Sequence, residues 1–111
     1  GAVLSMLRAR RRALLSSLMT VERQPDGSQA CRPMSLGTFV GVVAPEDGGQ
    51  PGQPIGFITS AGQGVNYHRN TWHGVLTPLH APGLFAVVDR IGDGPNLQEH
   101  WFDTPYLITS G

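Results

Sequence analysis

From Thr20 onward, short apolar runs, FVGVVA at 39–44, GVLTPL at 74–79 and LFAVVD at 84–89, alternate with stretches of Gly, Pro, Asp and Asn. No other feature constrains the fold as much. Each run has the length of a strand and is too short for a helix of about 10–12 residues. The 15 Gly and 9 Pro supply the many tight turns that closely spaced short strands require. An all-β antiparallel sandwich or barrel is the architecture that satisfies both. The stretch APEDGGQPGQP at 44–54 has no large apolar side chain and reads as a surface loop within one sheet system.

The first 20 residues read differently. MLRARRRALLSSLM contains strong helix formers and neither Gly nor Pro, so propensity alone predicts a helix. Pro25-Asp26-Gly27 matches turn chemistry, and its flanks are read as a hairpin. At 111 residues the chain suits a single domain over 1–111 with one core. Eight basic and eight acidic residues cancel, so no long-range field draws nucleic acid or anionic lipid. The RARRR run at 8–12 lacks interleaved aromatics and reads as a solvated segment. The lone Cys31 cannot close an internal disulfide, which fits a reducing cytoplasm. No signal-peptide pattern is recognised at the start, and no apolar run reaches the roughly 20 residues of a membrane helix.

The chemistry concentrates in GVNYHRNTWH, 64–73. In one unbroken strand His68 and His73 would face opposite ways. A turn at Arg69–Thr71, to which Asn70 is suited, lets both imidazoles reach one pocket mouth. The competing account makes Tyr67 and Trp72 core aromatics and leaves the histidines on a surface loop. Glu22 and Arg23 read either as site residues or as solvated edge-strand charges. Asp89 and Arg90 end an apolar strand, a place where functional groups often sit.

Three segments taken together resemble the ureidoglycolate lyase family of the cupin superfamily. QGVNYHRNTWH is similar to the family signature Gly-Val-x-Tyr-His-Arg-Gly-x-Trp-His-His, ERQPDGSQACRP to Glu-Arg-His-Pro-x-Gly-Ser-Gln-Ala-Phe-x-Pro, and FAVVDRIGDGPNLQEH to an Asp-Arg strand with an acidic turn. The match runs from about Met6 to about Glu99. It departs at Gln24, Cys31, Arg32, Asn70 and Gly74, the last in place of the second paired histidine. Family members also carry a substantial portion ahead of the matched segment.

The resemblance implies a cupin-like double-stranded β-helix, or jelly-roll barrel, lacking the family's N-terminal strands. It turns the first 20 residues from helix to strands, one near Val3–Arg8 and one leading into Glu22. It also implies a lyase that releases urea and glyoxylate from ureidoglycolate in ureide catabolism. The alternative is a non-catalytic module that binds a small carboxylate, prompted by Gly74 and the shortened start.

In the lyase reading His68 and His73 are the acid and base, and Glu22 orients an imidazole or serves as a second base. Arg69, Arg90 and Arg23 are candidate carboxylate clamps. Ser28, Gln29, Asn66 and Tyr67 offer neutral hydrogen bonds to the urea amide, and Asp89 positions a neighbour. A divalent metal, nickel by resemblance, would draw on His68, His73 and Glu22. Uncovered apolar surface and strand edges predict a homodimer.

Overall fold

The computed structural model describes residues 14–79 and 83–109. The strand expected near Val3–Arg8 and the RARRR run lie outside them. All regular structure described is strand, as the punctuated sequence demands, and the result is a cupin-like β-sandwich. The strand expected to lead into Glu22 is present in place of the helix that propensity favours. Pairing along its length decides this, since a sheet partner outweighs local preference.

The described residues form eleven strands, β1 (Leu14–Arg23), β2 (Gln29–Pro33), β3 (Phe39–Ala44), β4 (Glu46–Asp47), β5 (Gln50–Pro51), β6 (Ile55–Ile58), β7 (Val65–Tyr67), β8 (Trp72–His73), β9 (Thr77–Pro78), β10 (Phe85–Val88) and β11 (Gln98–Thr109). The larger sheet runs β11-β1-β8-β3-β6, with β9 also on β3. The smaller runs β10-β2-β7, and every pairing is antiparallel. Among the described residues no helix is long and apolar enough to cross a membrane.

The Pro25-Asp26-Gly27 turn corrects the hairpin expectation. β1 belongs to the larger sheet and β2 to the smaller, so the turn carries the chain between sheets. Both edges of β1 near the turn are taken, by β11 and β8, and both edges of β2 by β10 and β7. The stretch 44–54 is a tight hairpin, β4 to β5, across Gly48 and Gly49. Both have positive φ, 61° and 88°, which a two-residue hairpin loop of the primed type requires.

β3 is apolar throughout because it has a buried cluster on each side. Phe39 packs with Cys31, Phe57, Val65 and Tyr67, and Val43 leans on the same group. Val42 and Ala44 point the other way, to Leu18, Val21 and Trp72. The same alternation divides β1, β8 and β11. Val21, Arg23, Trp72 and His100 share one face; Thr20, Glu22, His73, Glu99 and Trp101 share the other.

Candidate active site

Register places the polar groups. Glu22 of β1 is paired with His73 of β8, so both side chains emerge on the same face of the larger sheet. In the smaller sheet Gln29 faces Tyr67, and Val87 of β10 lies beside Cys31. Between them is a cavity of about 270 Å³ whose polar lining is Glu22, Gln29, Tyr67 and His73. Cys31, Phe85 and Val87 are among its apolar walls.

His73 is 2% exposed, and its ring lies parallel to Tyr67 with centroids 4.1 Å apart. Its Nδ1 is 2.9 Å from the Thr71 carbonyl oxygen, which can only accept. The proton therefore sits on Nδ1, and Nε2 presents a lone pair. Nε2 has no hydrogen-bond partner and lies 3.7 Å from a carboxylate oxygen of Glu22. Burial lowers the imidazole pKa below its ordinary value, and the Thr71 carbonyl, Glu22 and Asp89 only partly oppose this, so the ring is neutral at pH 7.

The Tyr67 hydroxyl is likewise buried without a partner. Burial, then the neighbouring Cys31, raises the phenol above its ordinary value and keeps it a proton donor. Burial, with the charges of Asp89 and Glu22, pushes the Cys31 thiol up to about 11, so it stays protonated. Its sulfur lies 3.8 Å from Gln29 Oε1, to which the S–H donates, leaving the Gln29 amide N–H groups available. Buried polar groups left unpaired are uncommon in folded proteins, and both of these, the Tyr67 hydroxyl and the His73 Nε2, belong to residues that line the cavity of about 270 Å³.

The structure thus gathers Glu22, His73, Tyr67 and Gln29, and brings the Asp89 charge within reach of His73 and Cys31. It places the other predicted residues elsewhere. The turn expected at Arg69–Thr71 is present, with Asn70 at φ 62°. It unites His73 with Tyr67 instead of with His68, which follows Tyr67 directly, turns the opposite way and is exposed. Asn66 is paired with Ala30 on the outward face of the smaller sheet, and Ser28 is exposed in the inter-sheet turn.

Arg23 lies on the far face from Glu22. It pairs with Glu46, donates to Gln98 Oε1 at 2.8 Å and stacks 4.3 Å above the Trp72 ring, whose Nε1 also donates to Glu46. Arg69 and Arg90 are exposed and hold the inter-sheet turn, donating to the Pro25 and Asp26 carbonyls. β1, β2, β7, β8 and β10 all begin or end at this rim.

His68 is therefore removed from the proposed ligand set of His68, His73 and Glu22. Among the described residues no three His, Cys, Asp or Glu side chains converge as metal ligands. Glu22 and the His73 Nε2 lie 3.7 Å apart, and the Cys31 thiol that lines the same cavity is protonated.

A Cβ at Gly74 would lie 2.8 Å from Leu18 Cδ1 and 3.3 Å from Val42 Cβ, inside the opposite cluster. A side chain there points away from the cavity, so Gly74 takes no group from it. Cys31, Glu99 and Trp101 are lining residues that motif reasoning did not select as site residues. Their convergence depends on strand register, which leaves no local signature.

A family model for ureidoglycolate lyase matches residues 1–109. Ureidoglycolate lyase 2 of Rhizobium meliloti is 53% identical over 92 residues, covering 83% of this chain and 56% of that protein. The ureidoglycolate lyase of Mesorhizobium japonicum is 50% identical over 106 residues, 96% of this chain and 65% of the relative. That of Rhodobacter capsulatus is 49% identical over 107 residues, 96% and 66% respectively. The chain thus spans between 56% and 66% of the length of these relatives.

Proposed function

This chain belongs to the ureidoglycolate lyase family, and from that premise we propose that it releases urea and glyoxylate from ureidoglycolate, with His73 as the proton carrier. The observation that carries this reading is the buried, neutral His73, which lines the cavity, is fixed through Nδ1 and keeps an unpartnered Nε2. A carbinolamide needs such a group. Nε2 takes the hydroxyl proton, and the O–H electron pair becomes the carbonyl bond of glyoxylate. The C–N pair leaves with the ureido nitrogen, to which the same imidazole returns the proton, so protons and electrons balance.

Glu22, beside Nε2, stabilises the transient imidazolium. The Tyr67 hydroxyl and the free Gln29 amide N–H groups donate to the glyoxylate half of the substrate. Arg69 and Arg90 each spend one donor on the inter-sheet turn and keep further guanidinium N–H groups at the rim for its carboxylate. Gly74, which prompted the non-catalytic alternative, lines the cavity through its backbone, and a Cβ there would head into the Leu18–Val42 cluster, away from this chemistry.

The test is incubation with ureidoglycolate, with and without an added divalent ion, followed by glyoxylate and urea detection. The folded wild type releases both in equal amounts, and His73→Ala releases them roughly 10²–10⁴ times more slowly. Undiminished release by His73→Ala, or none by the wild type, overturns the assignment. Exposed Leu36, Val75, Leu84 and Ile91 support the further proposal of a homodimer; a monomer by light scattering at micromolar concentration refutes it.

A further inference from the structure

A second cavity, of about 160 Å³, opens on the β11 side of His73 and is lined by Thr20, Glu22, His73, Val75, Glu99 and Trp101, with Val21. Its polar groups form one row across three strands, because Glu99 of β11 is paired with Glu22 and Glu22 with His73. Trp101, two residues along, shares that face, and its Nε1 lies 3.3 Å from a Glu99 carboxylate oxygen. The indole is 63% exposed and forms a flat wall.

Like charges directly opposite on neighbouring strands repel each other. Among the described residues neither carboxylate pairs with Lys or Arg, because Arg23 is on the opposite face with Glu46. The neutral His73 supplies no charge to offset them, and this residue, whose buried Nε2 has no hydrogen-bond partner and lies 3.7 Å from Glu22, lines this cavity as well. Two acceptors facing each other beside a planar aromatic wall suit a planar group rich in N–H donors, and they exclude an anion.

Resting on the lyase reading above, we propose that the Glu22–Glu99–Trp101 cavity is the ureido subsite. The carboxylates accept the ureido N–H groups, and the indole covers the ureido plane. The repulsion between this acidic row and the substrate carboxylate then fixes the direction of binding. The glyoxylate half goes to Gln29, Tyr67 and the rim, and the scissile C–N bond lies at His73 between the two cavities.

N-carbamoylglycine, which keeps the ureido and carboxylate groups but lacks the hydroxyl to be deprotonated, is the probe. Binding to the full chain is compared with that of glyoxylate for wild type, Glu99→Gln and Glu99→Ala by calorimetry, with circular dichroism as the check on folding. Both variants bind N-carbamoylglycine about 10- to 100-fold more weakly, the loss of a hydrogen bond to a charged acceptor, while glyoxylate affinity stays within twofold. With ureidoglycolate the same variants raise KM more than they lower kcat.

Unchanged N-carbamoylglycine affinity in Glu99→Ala, equal losses for both ligands, or no binding by the wild type overturns the subsite. Turnover of ureidoglycolate by the wild type is a separate readout. It survives failure of the subsite, and its absence defeats the lyase reading whatever the binding contrast.

Discussion

Replacing Tyr67 by Phe removes one oxygen and separates stability from function. The hydroxyl is buried and has no hydrogen-bond partner, while the ring remains stacked on His73 and packed with Phe39, Phe57 and Val65. An unsatisfied buried hydroxyl costs about 1–3 kcal/mol. At the lower end of that range, Tyr67→Phe is expected to stabilise the protein by about 1 kcal/mol. In a domain of this size that raises Tm by about 4 °C. The same change deletes a donor to the substrate, and kcat/KM falls roughly 10- to 100-fold, the loss of one hydrogen bond to a charged group. Differential scanning calorimetry and glyoxylate release measure the two effects on one preparation. A lower Tm shows that the hydroxyl is satisfied in the folded protein, and unchanged kcat/KM shows that it does not touch substrate; either refutes the reasoning.

His73 gives the stability a pH dependence of known sign. Its pKa in the folded state is below the value of 6.5 it has in the unfolded chain. Below pH 6.5 the unfolded state therefore binds more protons, so His73's contribution is whole above that pH and lost as pH falls toward the folded pKa. His73→Asn, whose amide N–H can still meet the Thr71 carbonyl, is expected to flatten the decline of Tm between about pH 7 and 5; an unchanged slope contradicts this. Gly41→Ala would set a Cβ against Phe57 Cζ and 2.6 Å from Cε2, and Phe57 is fully buried. The expected cost is about 3 kcal/mol, at the upper end for overpacking, read as a lower midpoint in urea with unchanged m. A loss well under 1 kcal/mol would mean that the ring can yield.

The limits of sequence reasoning are clearest at the histidines. His68 and His73 are chemically equivalent in the sequence, and the turn between them was legible from Asn70. Which of the two enters the cavity depends on the residue at which β7 stops. Tyr67 is its last paired residue, so His68 turns outward and His73, beginning again in β8, turns inward. The Arg23 assignment failed for a related reason, since strand period separates it from its neighbour Glu22 and long-range pairing gives it Glu46. Cys31, a departure from the family pattern, became a wall of the cavity through its pairing with Val65 and Val87.

Gly and Pro punctuation, β-branched runs and the Asn70 turn specify an all-β chain, and the signature motifs identify the family, because each acts over a few adjacent residues. Register, by contrast, is set by contacts between residues as far apart as Glu22 and Glu99, and a shift of one position exchanges the two faces of a strand. Tertiary pairing alone therefore decided that Glu22, His73 and Glu99 lie in one row, that Tyr67 backs the imidazole, and that Arg23, Arg69 and Arg90 stay at the rim or beyond it.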